Sequence, residues 1–295
     1  MRVAFLGLGA IGTPMAARVA ANHDLVVWNR TADRADTFAR AHKSRAVRTP
    51  REAAAHAEVV ITCLPTSAEV EDLLDGDNGL IGGLAPGSLL LDCTSGDPAT
   101  SRRIAKRLIR HQVDFADAPV SGGTNGAEAG TLTVMVGAEE GVFRRAEPVL
   151  RSFGKRIEHM GPIGTGHAMK AVNNALLAVN IVALGEGLAA LVKAGVGARK
   201  AVEVLNASSG RSFVSEALVP ERVLTGEWPN TFRIALLHKD AGIALDLLAD
   251  QEVEATVLEA ASDVVGVARQ VLGDDADYLE AIRLIEQEAG VEIRG

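Results

Sequence analysis

Aromatic residues make up only 3% of this 295-residue chain, so its core has to be aliphatic, built from Ala, Val, Leu and Ile. Cysteine is nearly absent. Cys63 and Cys93 each close an apolar run, and neither has partners at a metal-ligand or disulfide-framework spacing. They read as buried thiols of a reducing compartment, and no metal site is expected. Positive charge is in deficit too. The 30 Lys plus Arg against 38 Asp plus Glu leave a net charge of -8, which gives no electrostatic reason to expect a nucleic-acid partner. The cluster Arg102, Arg103, Lys106 and Arg107 has helical spacing and reads as a solvated face. Long uninterrupted apolar runs are missing. The most apolar stretch, residues 175–184, contains Asn180 and is bounded by Asn174 and Glu186. That is short of the about 20 residues a bilayer span needs. A strand pattern starts at residue 2 with no signal-peptide pattern, so a cytoplasmic location is expected.

What is there is apolar content, at 47% with 23% charged, enough for a sizeable core, in a chain of a length for one large or two ordinary domains. The run Arg2–Leu6 leads straight into Gly7-Leu8-Gly9-Ala10-Ile11-Gly12, and a helical pattern follows. A strand, a glycine turn and a helix come in the order a dinucleotide site needs. Gly7 permits the tight turn, Gly9 lets backbone approach a pyrophosphate, and Gly12 lets helix and strand pack closely. The helix N-terminus then faces the phosphates. The second apolar run, Asp24–Trp28, ends in Asn29-Arg30-Thr31. An acidic residue here would hold the ribose 2′-hydroxyl of NAD. None is present, and the Arg30 guanidinium, assisted by Arg34, can grip a 2′-phosphate. NADP is therefore expected; Arg30 as an ordinary surface residue beside NAD is the alternative.

Apolar runs and helical patterns then alternate to residue 159, which argues for a parallel, doubly wound sheet. Strands are expected at 46–48, 59–64, 88–92, 113–119, 131–136 and 155–159. Ligands in such sheets lie beyond the carboxyl ends of the strands. Leu64-Pro65-Thr66, Thr94-Ser95 and Ser121-Gly122-Gly123 all fall at such ends and should surround one cleft. The two glycines at 122 and 123 form either a flexible turn or a nest of backbone N–H groups suited to a carboxylate.

From Gly164 onward the strand signals vanish. After Met169 the chain reads as a long helix that is apolar nearly all round, which implies burial. Lys170, Asn173 and Asn174 interrupt it on one face. Further helical patterns lie at 198–206, 232–250, 254–272 and 277–289. The expected fold is α/β: a Rossmann-like domain over 1–162, and an all-helical domain over 163–295 that begins with the long linking helix. A nicotinamide cofactor implies hydride transfer, and hydride transfer from an alcohol also moves a proton. His167 and His238 are weaker candidates for that proton than Lys170, whose ammonium loses stability on burial and beside an oxidised nicotinamide. Asn174, one turn on, can orient the substrate by hydrogen bonding.

The segments GLGAIGTPMA, DAPVSGGTNGAEAGTLTVMVG, GTGHAMKAVNNALLAVN and LLHKDAGIALDL, in that order over the whole chain, resemble the β-hydroxyacid dehydrogenases, the 3-hydroxyisobutyrate dehydrogenases most of all. The resemblance implies a catalytic lysine at Lys170, a substrate-holding asparagine at Asn174 and a substrate-carboxylate loop at Ser121, Gly122 and Gly123. It also places a second lysine, Lys239, near the cofactor, although Lys239-Asp240 read alone would pass for a surface pair. Where the family usually has Ser-Thr this chain has Thr94-Ser95, which leaves open which hydroxyl contacts the nicotinamide. The implied activity is NADP-dependent oxidation of a small 3-hydroxy acid to its semialdehyde by a homodimer or homotetramer. A semialdehyde or glyoxylate reductase is the alternative within the family, and a non-catalytic NADP-binding module the alternative outside it. The pocket wall is expected to include Phe213, Val214 and Phe232.

Overall fold

The computed structural model describes residues 1–295, and the chain divides into two compact units, Met1–Lys170 and Ala171–Gly295. The first unit alternates strand and helix: β1 Arg2–Leu6, α1 Gly12–Ala20, β2 Asp24–Trp28, α2 Ala32–Ala41, β3 Arg45–Ala46, α3 Pro50–Ala55, β4 Val59–Thr62, α4 Ser67–Asp72, β5 Leu89–Asp92, α5 Pro98–Leu108 and β6 Asp114–Asp117. Then come β7 Val120–Ser121, α6 Gly123–Ala129, β8 Leu132–Gly137, α7 Glu140–Leu150 and β9 Gly154–Gly161.

The strands form one sheet in the order β3-β2-β1-β4-β5-β6-β8-β7, with β9 on β8. From β3 to β6 every pairing is parallel. The order reverses between β1 and β4, which opens the crevice where such sheets bind ligands. Both faces are covered, so the strands are apolar throughout. Val3, Phe5, Val27, Ile61 and Leu91 face one buried cluster, and Ala4, Leu6, Val26, Val60 and Leu90 the other. The far edge departs from the expected all-parallel sheet. β8 runs antiparallel to β6, and β9 runs parallel to β8. Between β6 and β8 the chain first makes β7, which itself pairs antiparallel with β8, and then the short helix α6.

Helix starts in this unit are locally encoded. Thr49 accepts the Glu52 N–H with Pro50 at the first helical position, Thr66 and Glu69 form a capping box, and Asp97 accepts from the N–H groups of Ala99 and Thr100 ahead of α5.

The remaining helices are α8 Thr165–Lys193, α9 Ala198–Asn206, α10 Ile234–Asp250, α11 Thr256–Leu272 and α12 Ala281–Ala289, with a π-helical segment at Val214–Val223. The second unit packs an aliphatic core that includes Ile181, Leu188, Val219, Val223, Leu237, Val265 and Ile282. α8 begins four residues before Met169, because its N-terminus is capped from β6 rather than by a neighbour in sequence. It also overturns the expectation drawn from the short apolar stretch at 175–184. The whole helix has 29 residues with a window of mean hydropathy 2.1, long and apolar enough by those measures to cross a membrane. Within the second unit Ala178, Ile181, Val182, Leu188 and Ala189 of this helix belong to the aliphatic core.

Candidate active site

The glycine turn after β1 separates glycines the fold requires from one it does not. A Cβ on Gly7, at φ +105°, would stand 2.2 Å from the Cys63 carbonyl, and one on Gly12 would stand 2.0 Å from the Gly7 carbonyl. These two are imposed by turn and packing. Gly9 is exposed, and a Cβ there would meet nothing within 4 Å. Nothing in the chain itself requires a glycine there, and its open space leaves room for a closely approaching pyrophosphate. Ala10 is exposed beside it, and Ile11, at the cap of α1, uses no side chain on the helix N–H groups. No acidic residue lies in the first turn, so these donors suit an anion. The loop fits a dinucleotide.

Asn29 is occupied by the protein itself. Its Oδ1 accepts the Leu8 N–H at 2.9 Å and its Nδ2 donates to the Thr31 carbonyl at 3.0 Å, so it braces the glycine turn. Arg30 extends into solvent, 84% exposed, with one loose contact to Glu69 at 3.8 Å. Thr31 caps α2 without a side-chain hydrogen bond and is exposed as well.

The ends of β4 and β5 are stitched together. The Leu64 N–H donates to Thr94 Oγ1 at 3.1 Å, and the Thr94 N–H donates to Asp92 Oδ1 at 3.1 Å. Thr94 is buried and acts as a brace, whereas Ser95 is half-buried and Pro65 exposed. Cys63 and Cys93 lie at the same two strand ends. Burial pushes the Cys63 thiol up to about 12 and the Cys93 thiol well above its ordinary value, so both are inert. At the β7 end, Gly122 and Gly123 both hold positive φ, +134° and +66°, in an exposed turn beside half-buried Ser121. The helix α6 follows directly, beginning at Gly123.

The first turn of α8 hangs on Asp117, the last residue of β6. Its Oδ1 accepts the Gly164 N–H at 2.6 Å and its Oδ2 the His167 N–H at 2.8 Å. Burial pushes this carboxyl up, opposed by His167 and the two backbone donors. Lys170 follows in the second turn, half-buried. One turn further, in the second unit, Asn174 is buried and its Nδ2 donates to Asp240 Oδ2 at 2.6 Å. Asn173 Nδ2 donates to Asn174 Oδ1 at 3.0 Å, which fixes the amide orientation. Lys239 Nζ lies 2.8 Å from Asp240 Oδ1, with Asp240 buried and Lys239 largely so. This is a buried trio on α8 and α10, not a surface ion pair. Of the expected pocket wall, Val214 is in the core and Phe232 packs edge-on against Tyr278 at 5.6 Å, which leaves Phe213 exposed.

Asp117 and Asp240 are the functional positions that residue-type reasoning passes over. Each is a lone carboxylate ending or interrupting an apolar pattern, a signal in principle, but their partners are 47 to 66 residues away.

A parallel sheet with a glycine-turn phosphate cradle and a helical second unit defines an NAD(P)-binding oxidoreductase. Residues 2–161 match the NAD-binding domain of 6-phosphogluconate dehydrogenase, and residues 164–285 match the NAD-binding domain of NADP-dependent 3-hydroxyisobutyrate dehydrogenase. The chain is 35% identical to 2-(hydroxymethyl)glutarate dehydrogenase of Eubacterium barkeri over 296 aligned positions, 100% of this chain and 98% of the relative. It is 37% identical to the NAD-dependent L-serine dehydrogenase of Pseudomonas aeruginosa, covering 82% of this chain and 84% of the relative. Among solved structures, 3-hydroxyisobutyrate dehydrogenase of Mycobacterium tuberculosis with L-serine superposes with a TM-score of 0.86 at 31% identity, covering 97% of this chain and 99% of that one. The chain belongs to the 3-hydroxyisobutyrate dehydrogenase family of NAD(P)-dependent oxidoreductases that act on CH–OH donors.

Proposed function

We propose that the protein oxidises a 2-substituted 3-hydroxypropionate, of which 3-hydroxyisobutyrate is the type case, to the semialdehyde with NADP. The observation that carries this is the amide of Asn174, held by Asp240 and Asn173 one turn after Lys170 on α8. An Asn whose oxygen and one N–H are already committed offers its second N–H outward, a donor for the oxygen of a substrate. Lys170 takes the hydroxyl proton during oxidation and returns it during reduction. The positive-φ backbone at Gly122 and Gly123, with Ser121, receives the substrate carboxylate. Gly7, Gly9, Ala10, Ile11 and Gly12 cradle the pyrophosphate, with Leu64, Pro65, Thr94 and Ser95 on the nicotinamide side. When bound, the cofactor supplies the hydride acceptor.

The substrate class is supported by what the relatives' substrates share. 3-Hydroxyisobutyrate, L-serine and 2-(hydroxymethyl)glutarate all carry a primary alcohol one carbon removed from the carbon bearing the carboxylate, and differ in the substituent on that carbon. NADP is supported by Arg30 and Thr31, exposed at the end of β2 with no carboxylate between them.

The test is an oxidation assay with NADP and NAD at matched concentrations on racemic 3-hydroxyisobutyrate, L-serine, D-glycerate and 2-(hydroxymethyl)glutarate, with 4-hydroxybutyrate as the one-carbon-longer control. Turnover of the 3-hydroxy acids with NADP preferred is expected. Lys170→Ala should reduce kcat by about 100-fold or more, the usual scale of general acid–base catalysis, and leave cofactor affinity nearly intact. Equal loss of both would remove Lys170 from the chemistry.

A further inference from the structure

The reaction as described makes no use of a buried histidine one turn before Lys170. His167 is fully buried, and its Nδ1 lies 2.7 Å from Ser101 Oγ on α5. Its Nε2 has no hydrogen-bond partner, and neither has Oδ2 of Asp92 at the end of β5. The two orphans face each other at 4.0 Å. The other Asp92 oxygen is taken by Thr62 Oγ1 at 2.9 Å and the Thr94 N–H at 3.1 Å. Buried polar atoms without partners are rare because each carries a desolvation cost, so a facing donor and acceptor are expected to serve one another.

The position of the ring proton follows. With the proton on Nδ1, the Nε2 lone pair would point at a carboxylate oxygen, acceptor against acceptor. With the proton on Nε2, it points at Asp92 Oδ2, and the Ser101 hydroxyl gives its own proton to Nδ1. Ser101 Oγ also lies 3.2 Å from the Asp97 carbonyl, and this longer hydrogen bond is the one given up in the Nε2–H tautomer, in exchange for an N–H rather than a lone pair facing the buried carboxylate. The other charged groups around the ring are Asp117, which accepts the His167 backbone N–H, Asp97 at the cap of α5, and Lys170 on its own helix. The loop after β5 is also shaped around the ring. A Cβ on Gly96 would stand 2.6 Å from His167 Cε1 and 2.4 Å from Ser67 Oγ.

We propose that His167 is a positioning residue for Lys170: as the Nε2–H tautomer it ties the first turn of α8 to the carboxyl end of β5, and so sets Lys170 against the Thr94–Ser95 turn. The proposal rests on the role given to Lys170 above. The coupling runs through covalent and hydrogen-bonded steps joined at one point by the 4.0 Å electrostatic contact between His167 Nε2 and Asp92 Oδ2. Asp92 holds the Thr94 N–H, Thr94 holds the Leu64 N–H, and His167 stands three residues before Lys170 on the same helix face. Asp117 fixes the height of the turn through backbone hydrogen bonds, whereas His167 fixes its rotation through a side chain.

Two measurements test this. Selective ¹⁵N-histidine labelling, with His167→Gln to assign the signal, locates the ring proton. A protonated Nε2 and bare Nδ1 are expected; the reverse overturns the proposal. Steady-state kinetics with a turned-over hydroxy acid then compare His167→Leu, His167→Gln and Gly96→Ala with wild type. His167→Leu should lower kcat by about 10- to 100-fold, the scale of a misplaced catalytic group, with KM and cofactor Kd within about threefold and the pH–rate profile shifted. His167→Gln, whose amide can donate to Asp92, should recover most of kcat. Gly96→Ala, whose added methyl crowds both the His167 ring and Ser67 Oγ, should lower kcat as His167→Leu does. A kcat within about twofold of wild type in His167→Leu and Gly96→Ala overturns the role, as does a loss that follows the folded fraction with an unchanged pH profile and no recovery by Gln. A wild-type enzyme inactive on every hydroxy acid overturns the reading of the reaction and this role with it. An active wild type with unaffected variants overturns only the role of His167.

Discussion

Three glycines within six residues of the first turn look alike in sequence and differ in what holds them there. Gly7 and Gly12 are bare because protein backbone occupies the place of a Cβ; Gly9 is bare with empty space beside it. Only the last leaves room for a ligand, and the motif spacing marks all three because strand, turn and helix are contiguous. The residues at the end of β2 were only partly legible. Asn29 braces the glycine turn through Leu8 and Thr31 and keeps one amide N–H uncommitted. On the reading proposed above, Arg30 and Thr31 face the ribose. Arg30→Ala should therefore lower kcat/KM with NADP by about 10- to 100-fold, the worth of one or two hydrogen bonds between charged groups, and leave kcat/KM with NAD within about twofold. Initial rates with both cofactors check this. Equal losses with the two would mean that Arg30 contacts a part they share. The Glu69 contact does not preclude the role, because it is a loose one at 3.8 Å to a guanidinium that is 84% exposed and can exchange it for a 2′-phosphate.

At the scale of elements, the sequence is most readable where the determinants are local. The starts of α3, α4 and α5 follow from Thr49-Pro50, Thr66-x-x-Glu69 and Asp97-Pro98, and the structure uses each of these caps. The start of α8 is not readable in that way. Its orphan N–H groups are met by Asp117, 47 and 50 residues earlier in the chain, so the helix begins at Thr165 and Lys170 stands inside its second turn. The same holds for the buried trio of Asn174, Lys239 and Asp240, where the i to i+4 pattern of α8 was visible but the carboxylate that orients it was not. The π-helical segment at Val214–Val223 has no periodic signature, and Pro220 inside it argues against a helix on propensity alone. Asp117→Asn replaces one acceptor with an N–H₂ aimed at a backbone N–H. The first unit should lose about 1–3 kcal/mol, the cost of an unsatisfied buried donor. Urea unfolding followed by Trp28 fluorescence in a Trp228→Phe background isolates that unit. An unchanged midpoint would show that another group caps α8.

For the whole molecule, the remaining question is what covers α8. Its apolar window is only 39% buried within the chain, and Leu176 on the second unit is 51% exposed. α11 likewise leaves Val257, Val267 and Val271 exposed, at 64%, 49% and 62%. A single exposed aliphatic needs no explanation, but several large ones on two helices of one unit mark an association surface. A bilayer is a poor occupant for it, because the rest of α8 is committed to the aliphatic core of the same unit through Ile181 and Leu188. A second copy is a better one: it brings the same apolar helices to a self-complementary contact and needs no other partner. The protein should therefore sediment as a dimer or larger assembly at micromolar concentration. Leu176→Glu places a carboxylate in that contact without touching the buried side of the helix. It should weaken association by about tenfold or more, roughly 1.4 kcal/mol, with the circular dichroism of the isolated chain unchanged. Light scattering over a dilution series measures this. A wild-type chain that remains monomeric at high concentration would leave the apolar face of α8 without a second copy to cover it, and would return the membrane as the occupant to be tested.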